Sequence, residues 1–379
     1  MRTLTTAWKT LRDHLSGYSP RPELVCGGFA STPPALPGAP LAFGAGDVPI
    51  GLDYYGNLVH LPPGHVLISG DRKTGVTTTV RGLAIHAAKY PGARLHVYDS
   101  TGEWAAMRLL ADRFVTRAHG IADGLSDDTA AAQVLADLDA LHREMQRRND
   151  HLQALNADLA AAGATRQVTS VADATALPPS ALKAAGIDPA RTDTETAGLH
   201  RHVVVIPNLD WWLTHDPHGT GRDIGDKLFW LAGRGESVGI HLAAAVTARR
   251  LPDVSPALVQ RLRTRIVLRI ANHTHGERVI PSFGHAEAFA AAETAHDRFP
   301  MLAWIATPDD GGTLLRRVQL YRTDPMRLHR ALGWCHNDRG RRGWLTGDAL
   351  AVWEETQAWH AAQRASGTAS DTSDGEGRR

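Results

Sequence analysis

The residues best suited to chemistry in this sequence lie in the loop 70–78, which reads GDRKTGVTT. Gly70 and Gly75 have the spacing of a phosphate-binding loop with the pattern Gly-x-x-x-x-Gly-Lys-Ser/Thr. In such a loop the glycines let backbone N–H groups curl around phosphates, the lysine neutralises charge, and the hydroxyl holds Mg²⁺. Thr77 supplies the hydroxyl, but Val76 occupies the place of the lysine. The segment therefore predicts a phosphate site without its usual cation.

Two cations inside the loop could replace the missing lysine. Lys73 and Arg72 have side chains long enough to reach back over bound phosphates. The alternative is that both point to solvent, because a loop lysine has many rotamers and no enforced direction. If ATP binds, Thr77 is the expected ligand of its Mg²⁺. The predicted nucleotide-binding residues are Gly70, Asp71, Arg72, Lys73, Thr74, Gly75, Val76, Thr77 and Thr78.

The strand that should carry the catalytic acids also departs from the expected pattern. In a hydrolysing site of this kind an apolar strand ends in carboxylates that order Mg²⁺ and activate a water. Here the apolar run 203–206 is followed by Pro207 and Asn208. Asn208 could position a water but cannot accept its proton at neutral pH. Asp210 and Asp216 lie beyond the strand tip, and a substitute acid could come from there. Efficient hydrolysis is not expected.

Buried strands that alternate with helices must position this loop. An apolar strand at 66–69 precedes it and a helix at 77–89 follows it. A long helix with one apolar face is predicted from Ser126 onward. Four further apolar strands are predicted in ARLHVYDS, HVVVIPNLDWW, GIHLAAAV and RIVLRIA. Strands this apolar predict an α/β fold whose mostly parallel sheet is covered by helices on both faces.

Composition narrows the classes of protein. The 379 residues carry 41 Lys and Arg against 40 Asp and Glu, so bulk attraction to nucleic acid is not predicted, although a local basic strip stays open. Cys26 and Cys335 are far apart and are expected to be free thiols. No apolar run approaches a membrane span and no signal peptide is recognisable, which predicts a soluble, cytoplasmic protein.

Composition along the chain also predicts its divisions. Residues 1–47 are expected to form a helix and a Pro/Gly-rich linker, and 48–330 the main domain, with an insertion at 160–199. Residues 331–364 are expected to be a helical extension, and 365–379 a disordered polar tail.

Seven collinear segments from about residue 48 to about residue 325 resemble the FtsK/SpoIIIE family of P-loop ATPases. They are VPIGLDYYGNLVHLPPGHVLISGDRKTGVTTT, LHVYDSTGEW, LHREMQRRN, HVVVIPNLDWW, WLAGRGESVGIHLAAAVTARR, RIVLRIANHTHGERVI and LLRRVQLYRTD. The resemblance implies a RecA-like ATPase core that binds ATP with Mg²⁺, assembles into rings and moves double-stranded DNA. Related modules act in conjugative plasmid transfer and in type VII protein secretion, where divergent copies turn over poorly or not at all.

The resemblance also implies roles for residues outside the loop. Asp99 would end the second strand, and Thr247 would stand at the position of the sensor threonine. Next to it, Ala248 stands in place of the family's glutamine. The candidates for reaching a neighbouring subunit's phosphate are Arg265, Arg269 and Arg278. The arginine-rich segments RRLPDVSPALVQRLRTRIVLR and DRGRRGW could meet DNA phosphates, or could be solvated faces and subunit contacts.

Two hypotheses follow from the sequence. In the first, the chain is a hydrolysis-impaired pseudo-ATPase, a ring or scaffold subunit beside an active FtsK-like ATPase or within a secretion or transfer apparatus. Its expected location is the cytoplasm or the periphery of a membrane complex. In the second, it is an active DNA-translocating ATPase in which Lys73 or Arg72 replaces the lysine. The first is favoured because both the lysine and the acid pair are missing.

Overall fold

The computed structural model describes nine stretches of the chain: residues 48–53, 55–90, 92–117, 125–194, 196–215, 219–280, 301–309, 312–321 and 325–371. The predicted N-terminal helix and linker at 1–47 lie outside these residues, as do Asp216 and the last eight residues of the predicted tail. No helix in the described stretches is both long and apolar enough to cross a bilayer.

Ten strands and ten α-helices make up the described chain. The strands are β1 (Val48–Asp53), β2 (Leu58–Leu61), β3 (Val66–Gly70), β4 (Arg94–Asp99), β5 (Arg113–Thr116), β6 (His202–Ile206), β7 (Ile240–Thr247), β8 (Thr264–Val267), β9 (Leu302–Asp309) and β10 (Gly312–Leu320). The helices are α1 (Val76–Ala88), α2 (Asp127–Ala161), α3 (Val171–Thr175), α4 (Pro179–Ala184), α5 (Leu209–Thr214), α6 (Thr220–Arg234), α7 (Pro256–Arg261), α8 (His273–Val279), α9 (Pro325–Arg341) and α10 (Gly347–Asp371).

The chain divides into two compact units, of which the first contains the described parts of residues 1–83, 207–215 and 242–323. Its strand order is β2-β1-β10-β9-β8-β3-β7. β3 is parallel to both β7 and β8, and all five of its residues are buried, as expected for an inner parallel strand. The register pairs Gly70 with Thr247, so the ends of β3 and β7 lie side by side where the loop begins.

The second unit contains the described parts of residues 84–206, 216–241 and 324–379, with the parallel strand order β6-β4-β5. Its longest element is α2, whose N-cap Ser126 accepts a hydrogen bond from the backbone N–H of Thr129. Two acids in the first turn, Asp127 and Asp128, favour the positive end of the helix dipole. The apolar face predicted from the sequence is buried and packs on α6.

The predicted fold class is confirmed, because the structure has an α/β fold with a mostly parallel sheet. The predicted strand RIVLRIA is shorter than expected, since β8 ends at Val267. Beyond Val267 the backbone forms a hydrogen bond with the loop 70–78, in which Arg269 O accepts from Asp71 N at 2.8 Å. The antiparallel pair β9 and β10 and the short strand β5 were not predicted. α10 continues to Asp371, past the residue at which the polar tail was predicted to begin.

Candidate nucleotide-phosphate site

The loop between β3 and α1 is held in a compact turn. Thr74 donates to Asp71 O through both its backbone N, at 3.3 Å, and its Oγ1, at 2.8 Å. Lys73 has φ +66° and Gly75 has φ +110°. A lysine in the left-handed region costs about 1–2 kcal/mol, so the surrounding contacts must enforce this backbone shape.

Neighbouring atoms crowd both glycines of the loop. A Cβ on Gly75 would overlap Met301 Sδ and lie 2.7 Å from Met301 Cε. A Cβ on Gly70 would lie 2.7 Å from Thr74 Oγ1 and 2.9 Å from Leu268 Cβ. The two glycines predicted from the sequence therefore stand where neighbouring side chains approach the backbone closely.

Asp71 fixes the loop to the chain that follows β8. Its Oδ2 accepts a hydrogen bond from the backbone N of Ala271 at 2.7 Å, while its own N donates to Arg269 O. With this bond in place, the carboxylate acts as a clamp on the backbone. Arg269 thus contributes to the loop through its carbonyl oxygen.

The amino end of α1 completes the cradle. The first backbone N–H groups of an α-helix have no partner inside the helix and carry the positive end of its dipole. α1 begins at Val76 and has 13 residues, with Thr77 exposed and Thr78 partly buried in its first turn. Thr79 Oγ1 donates to Gly75 O at 2.9 Å, which ties the helix to the loop. The Thr77 hydroxyl is the one accessible for an accompanying Mg²⁺.

A depression of about 480 Å³ adjoins the loop. It lies at the carboxyl ends of β3 and β7, where open α/β sheets bind their ligands. The side chains that line it combine three guanidinium groups, one hydroxyl and the clamped carboxylate: Asp71, Arg72, Thr247, Arg249 and Arg250. The depression is therefore suited to an anion.

Asp210, on α5, contacts one of these arginines. Its Oδ2 is 3.4 Å from Arg250 Nε, and Arg250 Nε is also 3.2 Å from Asp253 Oδ2. Asp210 is 9% exposed, and among the described residues its Oδ1 has no hydrogen-bond partner. Burial raises the pKa of this carboxyl, against the opposing effect of Arg250. Asn208 precedes α5 without capping it by its side chain.

The other predicted residues lie apart from the depression. Arg265 donates to the backbone of its own turn, at Leu262 O and Val259 O, and its burial lowers the pKa of the guanidinium. Arg278 is exposed on α8, and Lys73 is exposed but does not line the depression. In the second unit, the Asp99 carboxylate accepts hydrogen bonds from Thr101 and Trp104.

Sequence reasoning missed Arg249 and Arg250 as part of this site. Both lie in the segment RRLPDVSPALVQRLRTRIVLR, which was interpreted as a contact for DNA phosphates or a solvated face. Their position directly after the strand that ends at Thr247 was the available signal, because residues that follow parallel strands collect at one edge of the sheet.

No protein-family model matches the chain, and no curated protein sequence does. Solved structures do match. ATPases 2 and 3 of EssC from Geobacillus thermodenitrificans align with a TM-score of 0.56 and 20% identity, over 86% of this chain and 53% of that one. The pCW3 conjugation coupling protein TcpA, solved with ATPγS, aligns with a TM-score of 0.53 and 15% identity, over 81% and 75%. The cytoplasmic domain of the type VII secretion ATPase EccC from Thermomonospora curvata aligns with a TM-score of 0.50 and 17% identity, over 76% and 31%.

These similarities establish the fold. The chain shares its fold with these ATPase structures, and the FtsK/SpoIIIE resemblance predicted from the sequence is confirmed at the level of the fold. The chain spans about half of the EssC fragment and about a third of the EccC domain.

We expect Asp210→Asn to stabilise the protein at neutral pH by roughly 1 kcal/mol, the scale of a buried polar group's desolvation penalty. The raised pKa means that burial destabilises the ionised carboxylate by more than Arg250 stabilises it. A carboxyl whose pKa is raised in the folded state destabilises the fold at pH values above that pKa. This penalty disappears as the pH falls through the folded-state pKa toward the pKa of the unfolded state. The difference in melting temperature between the two proteins should therefore be full at pH 7 and vanish near pH 4.

Calorimetric melting between pH 4 and pH 8 measures this difference. Asp253→Asn is the matched control, because Asp253 contacts the same Arg250 Nε but its side chain is 33% exposed, and it should change stability by less than about 0.5 kcal/mol. A lower melting temperature for Asp210→Asn at pH 7 would mean that the ion pair outweighs desolvation.

Proposed function

We propose that this chain is an ATP-binding, hydrolysis-impaired member of a secretion or DNA-transfer assembly. The observation that carries the proposal is a loop with the backbone shape expected for binding phosphates, in which the charged side chains differ from the expected pattern. Lys73 in the loop is left-handed, and Gly75 has a positive φ that residues with a side chain rarely adopt. The lysine position, however, holds Val76, and the nearby acid Asp210 contacts an arginine.

The residues of the chain fit a bound polyphosphate. The free N–H groups at the start of α1 and the guanidinium groups of the depression would hold the phosphates, and the Thr77 hydroxyl would meet the accompanying Mg²⁺. When bound, ATP supplies a phosphoanhydride bond that water can attack. Activation of that water needs a carboxylate able to take its proton. Asn208 cannot do this, and Asp210 is buried and does not line the depression.

In this proposal the chain works as a ring or scaffold subunit whose bound nucleotide has a structural or gating role. The fold shared with a conjugation coupling protein and with secretion ATPases supports an oligomeric setting. An active relative would supply the hydrolysis, and double-stranded DNA or a secreted protein would be the cargo of the whole assembly.

One observation favours a second function, that of an active DNA translocase. Arg72 lines the depression and is a cation of the phosphate loop itself, so it could take over the role of the lysine. DNA-stimulated ATP hydrolysis by the isolated chain would establish this function and overturn the hydrolysis-impaired one.

Titration calorimetry with ATP and Mg²⁺ tests the proposal, and Val76→Lys sharpens it. We expect the wild-type chain to bind ATP and Val76→Lys to bind it about 10–100-fold more tightly, because a charged hydrogen bond contributes about 1.5–3 kcal/mol. Hydrolysis should stay at background in both proteins, since the variant restores a cation but no acid.

Val76→Met is the matched control, because it lengthens the side chain without adding charge and should leave the affinity within a few fold. Absence of ATP binding by the wild-type chain would refute the proposal. Rapid turnover by Val76→Lys would show that the chain already has a working base, which would also contradict it.

A further inference from the structure

The depression beside the phosphate loop has an excess of positive charge. Three of its five lining side chains are arginines, and the single carboxylate among them, Asp71, already accepts a hydrogen bond from Ala271 N. Guanidinium groups bind phosphate oxygens through parallel pairs of N–H bonds. The charge that the loop lost at Val76 is thus present on side chains around the depression.

Two of these arginines come from one turn that is firmly anchored. The 3₁₀ turn Ala248–Asp253 follows β7, and its residues Ala248 and Leu251 are buried at 0% and 1% exposure. Residues three apart lie on the same face of a 3₁₀ helix, so Arg249 and Arg250 lie off the buried face. Both are exposed, in agreement with this geometry. The turn also packs on α5 and α8.

Arg250 is held in place by carboxylates that leave most of its donors unused. Its contacts with Asp210 and Asp253 both run through Nε. A guanidinium carries four more N–H donors on its two Nη atoms. Arg249 and Arg72 are exposed, and neither makes an ion pair or a hydrogen bond with another residue in the described stretches. All three arginines therefore have donors available for a ligand.

We propose that Arg249 and Arg250, with Arg72, bind the terminal phosphates of the nucleotide in place of the missing loop lysine. The proposal rests on the proposed ATP binding and names the residues that make it work without a lysine. It assigns the distal phosphates to planar guanidinium groups on the turn after β7. Affinity should therefore rise with the number of phosphates, and inorganic tripolyphosphate should bind by itself.

Calorimetric titration of the full chain with MgATP, ADP and sodium tripolyphosphate tests this assignment. We expect the double variant Arg249→Ala with Arg250→Ala to weaken binding of ATP and of tripolyphosphate by about 10–100-fold, the equivalent of one or two charged hydrogen bonds. Replacing both residues by lysine should cost only several fold, because charge is kept and the paired geometry is lost. Arg222→Ala, on the exposed face of α6, is the control and should bind as the wild type does.

The outcomes separate this inference from the function on which it rests. Wild-type ATP binding that survives the double alanine change, or that is lost with Lys73→Ala instead, overturns the inference and leaves the proposed function intact. If tripolyphosphate binds in an arginine-dependent way and ATP does not bind, the anion site is supported and the proposed ATP binding is refuted. No binding of either ligand by the wild type refutes both. Melting curves of the double alanine and double lysine variants exclude unfolding as the cause of a loss.

Discussion

Alanine at Gly75 is expected to weaken nucleotide binding by at least tenfold. The residue has φ +110°, a backbone conformation that L side chains rarely adopt, and strain of this kind costs about 1–3 kcal/mol. Met301 Sδ and Cε also occupy the space of the new Cβ. Because the end of a methionine side chain can move, the backbone strain decides the effect. The loop should relax to another shape and withdraw its N–H groups from the phosphates.

Titration with ATP and thermal melting measure the two parts of this effect. Gly82→Ala is the matched control, because Gly82 lies inside α1 with no atom within 4 Å of its would-be Cβ. That change should raise stability by about 0.5–1 kcal/mol through helix propensity and leave ATP binding unchanged. Full affinity in Gly75→Ala would show that the loop does not need its present backbone. Adding Met301→Ala to Gly75→Ala should restore little of the ATP affinity, since it relieves the crowding of the new Cβ but not the backbone strain of the positive φ.

Replacing Arg148 by alanine is expected to destabilise the second unit by about 3–5 kcal/mol, the cost of breaking a buried charge network. The Arg148 side chain is fully buried on α2 and donates to Glu144 Oε1 at 2.6 Å. It also donates to three backbone oxygens, at His200, Val238 and Gly198, with distances of 2.6, 2.8 and 3.0 Å. Alanine would remove the Arg148 donors from all three carbonyl groups, although Gly198 O would still accept a hydrogen bond from Arg147 Nη2 at 3.2 Å.

Arg147 provides the control for this prediction. It is bonded to the same Glu144, yet its side chain is 48% exposed, so Arg147→Ala should cost less than about 1 kcal/mol. Urea unfolding of the two variants measures the difference. Equal effects would show that Arg148 contributes through its charge alone and that its bonds to the three carbonyl groups add little.

The loop has the backbone shape that we propose binds a nucleotide, but the charged groups around it differ from those of the expected loop pattern. The amino end of α1 and the two crowded glycines are retained. Of the three arginines at the depression, two follow β7 and Arg72 lies in the loop, and Asp210, beyond the end of β6, contacts one of the two. Such an arrangement is suited to holding an anion and poorly suited to activating water, which is why binding without turnover is the expected behaviour.

Sequence patterns alone were sufficient for the fold class and for the position of the loop. Continuous apolar runs indicate strands buried on both faces, and the glycine spacing indicates a particular backbone shape. The strands and the loop can therefore be recognised from short stretches of sequence. Val76 and Asn208 likewise showed in the sequence that the lysine and the acid were missing. The antiparallel strands β9 and β10 escaped prediction.

The tertiary structure determines which side chains lie together at the site. Gly70 and Thr247 are far apart along the chain, yet the parallel register of β3 and β7 makes them neighbours and brings Arg249 and Arg250 to the loop. The clamp made by Asp71 and the burial of Asp210 depend in the same way on strands joined by long crossovers. Local periodicity determines which residues are buried, whereas the proximity of side chains depends on which strands pair, and no short stretch of sequence encodes that pairing.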